Sequence, residues 1–280
     1  MKLLNGKELA DKIKDEVKAK VAQLKEQGKS VHLAVIQVGD NPASTTYVKN
    51  KQNACKYCGI LSTTYELKKG VPEEILIALI SSLNKRKNID GILVQLPLPE
   101  HIDEHKVIQS IAPEKDVDGF HEINMGKLVI GEDTFVPCTT KGIIELLKAN
   151  DITIEGKHCV VVGRSNIVGK PTAVELLHHN GTVTICHSKT KDLKQICQSA
   201  DILVCAIGKP QFFNKDYVGV GSIVIDVGIH RLEDGTLCGD VDFDDVKDVV
   251  SAITPVPRGV GAMTVAMLMK NCVQAVKIKK

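Results

Sequence analysis

Ser44, Tyr47 and Lys51 recur at intervals of three and four residues, the spacing that puts side chains on one face of a helix. A lysine in that company can serve as acid or base. Its ordinary pKa is ~10.4, and desolvation or a cationic neighbour brings it toward neutrality. The plainer reading of Y-x-x-x-K is a surface lysine beside a packing tyrosine. The segment follows Gly39-Asp40-Asn41-Pro42, a strand end of the kind where α/β proteins place ligands. Short-chain dehydrogenases also use Ser, Tyr and Lys, but their nucleotide loop comes first in the chain. Here Lys51 precedes Gly163 by more than a hundred residues, which argues against that group.

The second chemical feature is the run Gly163-Arg164-Ser165-Asn166-Ile167-Val168-Gly169-Lys170-Pro171, entered from Val160-Val161-Val162. A pyrophosphate site needs a tight turn whose amides face the anion at a helix N-terminus. Gly163 and Gly169 supply the turn and the close backbone approach, although Ser165 stands where G-x-G-x-x-G has its second glycine. The alternative is an ordinary strand-to-helix turn, and the place of the loop at the start of a βαβ unit favours a cofactor. An NAD site usually ends its second strand on Asp or Glu, about 20 residues on. This chain has Cys186-His187-Ser188-Lys189-Thr190 there, with no acid until Asp192. Arg164, Ser165, Ser188 and Lys189 can instead hold a ribose phosphate, which favours NADP; the alternative is that Arg164 and Lys189 are solvated cations.

Other signals carry less. Cys55-Lys56-Tyr57-Cys58 is a C-x-x-C with no second pair to complete a zinc site, and it falls late in a helical segment. His178, His179 and His187 lack metal-site companions. Lys277-Ile278-Lys279-Lys280 reads as a solvated helix end suited to the macrodipole.

The elements that position these residues follow from periodicity. Leu9, Ile13, Val17, Val21 and Leu24 mark an amphipathic helix over 6–28. Buried strands are expected over 31–38 and 91–97 and a further strand over 61–67, with helices over 43–58 and 72–83 between them. Residues 111–140 lose periodicity and carry Pro113, Gly119, Gly126, Gly131 and Pro137. A helix over 140–150 then leads into strands over 159–162, 183–186, 202–206 and 223–227, helices over 171–178 and up to about 200, and a closing helix over 264–280. Strands alternating with helices predict parallel sheets, here in two α/β lobes.

Composition bounds the function. With 280 residues, 43% hydrophobic and 25% charged, the chain is an ordinary globular one, long enough for two domains. A formal net charge of +2 and nine aromatics, none of them Trp, argue against a general nucleic-acid binder or a membrane-surface binder. Charge interrupts the first residues before the apolar core of a signal peptide can form, and no apolar run reaches the ~18–20 residues of a membrane span. Nine scattered cysteines suit buried free thiols in a reducing compartment, so a cytoplasmic location is expected.

Five segments in order sharpen the picture: Gly39–Lys51, Gly91-Ile92-Leu93-Val94-Gln95-Leu96-Pro97-Leu98-Pro99, Lys115-Asp116-Val117-Asp118-Gly119-Phe120, the Gly163–Pro171 loop and Thr254-Pro255-Val256-Pro257. Together, across essentially the whole chain, they resemble the bifunctional methylenetetrahydrofolate dehydrogenase/methenyltetrahydrofolate cyclohydrolase family. The resemblance implies an N-terminal folate and catalytic lobe (1–138, plus a returning helix over 262–280) and a Rossmann-type NADP lobe (139–261), with a cleft between them. It implies Lys51 as the catalytic lysine, Tyr47 stacking on the folate rings, Gln95 tuning Lys51, and Asp118 gripping the pterin through two parallel N–H bonds. Leu96, Pro257 and Gly261 would join them in binding substrate. Gly163, Arg164, Ser165, Gly169, Ser188 and Ile229 would bind NADP. The implied partners are tetrahydrofolate derivatives, polyglutamylated forms included, in a homodimer working in one-carbon metabolism and purine biosynthesis, with no nucleic acid, membrane or metal.

The chain departs from the family pattern at Arg258, where a glycine is usual, at Ala262 and at Thr140, where prolines are usual. Arg258 would crowd a ligand or supply a cation for a folate glutamate tail, and loss of a proline at Thr140 would loosen the chain there. Two rival readings remain at this stage. One is a shikimate-type dehydrogenase using a Lys–Asp pair, and the other is a binding protein without turnover in which Arg258 blocks the site.

Overall fold

The computed structural model describes residues 1–278. The chain divides into two compact units: residues 11–127, 133–138 and the chain from Val265 onward form one, and residues 1–10, 128–132 and 139–264 form the other.

The first unit is built on three parallel strands in the order Leu61–Leu67, His32–Val38, Gly91–Val94. The central strand is a nearly continuous apolar run, as a strand covered on both faces requires, and the register sets Val35 between Thr64 and Leu93. Two crossover helices, Pro42–Cys58 and Glu73–Lys85, make the parallel connections. Pro42 occupies the first helical position, where its missing N–H costs nothing, and Asn41 Oδ1 accepts the Ser44 N–H at 3.2 Å. Leu76, Ile80 and Leu83 bury one face of the other helix against Ala34, Ile36, Ile92 and Val94. Its last turn is closed by the buried Lys115, whose Nζ donates to the carbonyls of Leu83, Asn84 and Arg86. The amphipathic helix Gly6–Glu26 buries Ile13, Val17 and Val21, with Leu9 and Leu24 half-buried.

Two expectations for this unit are corrected. The strand expected over 91–97 ends at Val94, because the prolines beyond it cannot donate to a ladder. The stretch over 111–140 is not structureless: it holds a 3-10 turn, Pro113–Lys115, and a helix, Glu122–Ile130. Gly126 and the exposed Ile123, Val129 and Ile130 blur the periodicity that would have marked that helix. A short helix, Glu104–Gln109, also escapes the pattern; Asp103 caps it by accepting the Lys106 N–H at 3.1 Å.

The second unit is a six-stranded parallel sheet in the order Lys2–Leu3, Ala252–Ile253, Ile223–Asp226, Ile202–Cys205, His158–Val162, Thr182–Cys186. After Lys2–Leu3 the chain returns to the sheet at His158–Val162, steps outward to Thr182–Cys186, then crosses back to Ile202–Cys205. That reversal leaves a switch point at the carboxyl ends of His158–Val162 and Ile202–Cys205, where open α/β sheets bind ligands. Val160, Leu203, Cys205, Phe213 and Val224 form its core.

The first ten residues, read from sequence as part of the N-terminal lobe, belong here instead. The Lys2 and Leu4 N–H groups donate to Ser251 and Ile253 carbonyls at 2.7 and 2.9 Å, a two-residue strand too short to show alternation. The closing helix starts before Thr264, as Val260–Ile278, so Gly261 and Ala262 lie in its first turn. Lys279 and Lys280 of the expected basic end lie outside the described residues. Among the described residues no helix is long and apolar enough to cross a membrane.

Candidate active site

In the first unit, helix Pro42–Cys58 turns Ser44, Tyr47, Val48 and Lys51 inward together: Ser44, Val48 and Lys51 are buried and Tyr47 is half-buried. Lys51, 8% exposed, donates from Nζ to Gln95 Oε1 at 3.0 Å. Gln95 is held at both ends. Its backbone N–H donates to Ile36 O at 2.8 Å, continuing the sheet past Val94, and its Nε2 donates to Leu96 O at 2.7 Å. The second bond fixes which way the amide faces, so the oxygen is turned to the lysine.

Asp118 completes the cluster. Burial pushes its carboxyl above the usual carboxylate range, against the pull of the Lys51 charge and a hydrogen bond from the Cys138 thiol. Burial likewise raises the Tyr47 hydroxyl. The segment carrying Asp118 is itself fixed. Asp116, almost fully buried, accepts from the N–H groups of Gly119 and His121 and from Asn124 Nδ2, at 3.2, 2.8 and 2.9 Å. Asn271, fully buried in the closing helix, donates to Val117 O at 2.8 Å and Val136 O at 3.1 Å. Sequence reading missed Asp116 and Asn271. Asp116 stands in a charged stretch and Asn271 beside Lys270, so neither announces that it is buried until the fold is known.

In the second unit, Gly163 has φ +137° and a Cβ there would stand 2.2 Å from Ala206 O, while a Cβ on Gly169 would stand 2.2 Å from Gly163 O. Both positions need glycine, and the loop hugs its neighbours so closely that a ligand could approach bare backbone. Ser165 does more than face a ligand: its Oγ accepts from the Val168 and Gly169 N–H groups at 3.2 and 3.3 Å, capping helix Gly169–His178. Val162 pairs with Cys186, and Gly163 N–H donates to Cys186 O at 2.9 Å. The exposed Arg164, Ser165, Ser188 and Lys189 therefore leave two adjacent strand ends. A glycine loop open to close backbone approach, flanked by exposed cations and hydroxyls, fits a phosphorylated dinucleotide. Ile229 is 41% exposed and lies against Gly261, whose Cβ would meet Ile229 Cδ1 at 3.2 Å; Pro257 is exposed.

The signals set aside stay there. The Cys55 and Cys58 thiols are buried and pushed up to about 12 and about 11 by that burial, unsuited to redox exchange. His178 and His179 bond to Leu128 and Glu175 carbonyls, and His187 Nδ1 accepts the Lys189 N–H. No metal-ligand cluster occurs among the described residues. Thr140 lies in the first turn of helix Cys138–Ala149, its hydroxyl 3.0 Å from that of Thr172.

Two family models divide the chain between them. Residues 4–118 match the tetrahydrofolate dehydrogenase/cyclohydrolase catalytic domain and 137–280 the NAD(P)-binding domain of the same family. The chain belongs to the tetrahydrofolate dehydrogenase/cyclohydrolase family. It is 62% identical over 275 residues to the bifunctional protein FolD of Lachnoclostridium phytofermentans, covering 98% of each chain. Among solved structures, the bifunctional FolD methylenetetrahydrofolate dehydrogenase/cyclohydrolase from Campylobacter jejuni is 51% identical with a TM-score of 0.98, covering all of both chains. The Trypanosoma brucei family member, solved with NADP and an inhibitor, is 37% identical with a TM-score of 0.94, covering 99% of this chain and 97% of that one. Family membership displaces the shikimate-type reading. It also accounts for a parallel α/β fold whose N-terminal part is catalytic and whose C-terminal part binds NAD(P).

Proposed function

We propose that this chain oxidises 5,10-methylenetetrahydrofolate with NADP⁺ and hydrolyses the methenyl product to 10-formyltetrahydrofolate, with Lys51 moving the protons of the second step. The observation that carries the assignment is the buried Lys51 Nζ, 3.0 Å from an amide oxygen whose orientation is fixed from its other end. NADP⁺ supplies the hydride acceptor when bound. For that step the chain's work is positioning, since a folate nitrogen lone pair expels the hydride. Tyr47 stacks on the ring system, Leu96, Pro257 and Gly261 border the substrate, and Asp118 accepts two N–H bonds from the pterin. Gly163, Arg164, Ser165, Gly169, Ser188 and Ile229 form the dinucleotide site.

In the hydrolysis, water adds to the methenyl carbon and loses a proton; the carbon–N5 bond then opens as the remaining hydroxyl gives up its proton to become the formyl carbonyl and N5 gains one, so that one proton is released overall. Lys51 Nζ relays the proton between these sites, and Gln95 Oε1 holds the nitrogen in place while a proton is on it. Lys51→Met should cut the cyclohydrolase rate by at least ~100-fold, the usual share of general acid–base catalysis, and hydride transfer much less. The test follows the methenyl and reduced-nicotinamide absorbances separately; equal loss of both rates would remove Lys51 from the proton relay. The same family reading gives a cytoplasmic homodimer serving purine biosynthesis, supported by free cysteines and by the resemblance in sequence.

A further inference from the structure

A second buried polar network lies in the dinucleotide unit, at the carboxyl end of strand Ile223–Asp226 and in the loop that follows Ile202–Cys205. Asp226 ends strand Ile223–Asp226 and accepts from the N–H groups of Gly228 and Asp240, both at 2.9 Å, and of Val241 at 3.0 Å. Asp240, fully buried, then takes four donors. Its Oδ2 accepts from Ile207 and Gly208 N–H at 2.7 and 3.0 Å, and its Oδ1 from Lys209 N–H at 2.9 Å and His230 Nε2 at 2.8 Å. The packing leaves no room to spare: a Cβ on Gly228 would stand 2.4 Å from Asp240 Oδ1, and one on Gly239 1.8 Å from Asp226 Oδ2.

Three consecutive amides aimed at one carboxylate fix a loop that no helix or strand holds. That loop begins at Ala206, whose carbonyl blocks any side chain at Gly163, and it leaves the strand beside His158–Val162 at the switch point of the sheet. Asp226 holds the other wall, since Gly228 precedes Ile229.

We propose that Asp240 is a positioning residue for the dinucleotide: its carboxylate sets the 206–209 loop as a preformed wall of the NADP crevice. The proposal rests on the reading that this unit holds NADP. Preformed loops bind more tightly because the ordering cost is met on folding, so losing the clamp should weaken NADP and spare the reaction that does not use it.

The test uses the full chain. Asp240→Asn puts an NH₂ group against donor N–H groups. Its expected effects are a Kd for NADP⁺ by calorimetry raised about tenfold or more, a similar rise in KM for NADP⁺, and loss of hydrogen-exchange protection at Ile207, Gly208 and Lys209. Cyclohydrolase turnover of added methenyltetrahydrofolate should stay within about twofold. His230→Ala is the second variant, and it decides the matter if Asp240→Asn does not fold. It should weaken NADP⁺ severalfold, and His230→Gln, which can still donate to Oδ1, should restore it. Unchanged NADP⁺ affinity in the folded variants, or parallel loss of both activities, would overturn the proposal. Failure of the wild type to bind NADP⁺ would instead overturn the cofactor reading beneath it.

Discussion

A buried lysine needs an acceptor, and at Lys51 the hydrogen bond goes to an amide oxygen rather than to a carboxylate. A neutral amide oxygen accepts from Nζ without adding a negative charge beside it. Gln95→Ala should therefore harm the cyclohydrolase at least as much as hydride transfer, measured on the two absorbances; equal retention of both rates would remove Gln95 from the relay. Arg258 tells a different story. The concern from sequence was a bulky cation where the family has glycine, and the structure finds it exposed with φ +83°, in the left-handed region glycine favours. Its effect is then on the backbone. Arg258→Gly should stabilise the protein by about 1 kcal/mol in chemical denaturation, since L-residues pay about that to sit there. A loss of stability would mean the arginine side chain makes a compensating contact. The shared face of Ser44, Tyr47 and Lys51 was legible because spacing on a helix is local, whereas Gln95, which lies beyond a different element, came only with the family resemblance. Asp240 was not legible, because its partners at 207–209 and 230 meet it only after the sheet is formed.

The glycine loop shows what an element contributes beyond its residues. Gly163 and Gly169 were readable from strand-loop-helix order, whereas the capping by Ser165 was hidden because the sequence suggested a ligand contact alone. Gly163→Ala would drive a methyl into Ala206 O in a backbone region closed to alanine. It should raise KM for NADP⁺ at least tenfold while cyclohydrolase activity on added methenyltetrahydrofolate persists, a split read by assaying the two steps apart. An unchanged KM would place the dinucleotide elsewhere. Strong apolar runs such as His32–Val38 and His158–Val162 were legible because burial on both faces leaves a continuous signature. The helix Glu122–Ile130 and the strand Lys2–Leu3 were not: one has mostly exposed apolar residues with a glycine in its middle, and the other is held by pairing with a strand some 250 residues later.

At the scale of the whole molecule, burial governs both the thiols and the pH response. Eight of the nine free cysteines are buried and Cys238 is half-buried. Thiol titration of the native protein should therefore label Cys238 first, with all nine reacting after unfolding; rapid labelling of several would contradict the packing. Asp226 is pushed up to about 7, chiefly by burial, against three backbone N–H donors that favour the charge. A carboxyl raised in the fold favours the protonated form there, so its stabilising contribution is complete below the ordinary range near ~3.9 and is lost as pH rises through about 7. Asp226→Asn cannot titrate, so the stability of the wild type relative to this variant should fall between about pH 4 and about pH 7 and level off above that. A flat difference would show that the carboxyl is ionised throughout.

The most direct measurement of the central claim is turnover of methylenetetrahydrofolate with NADP⁺ by Lys51→Met, following both absorbances at once. Wild type should form NADPH while methenyl is consumed faster than in buffer. The variant should still form NADPH, and methenyl should accumulate to the level that buffer hydrolysis allows. Consumption of methenyl at the wild-type rate would contradict the assignment of Lys51 and send the search for the proton relay elsewhere.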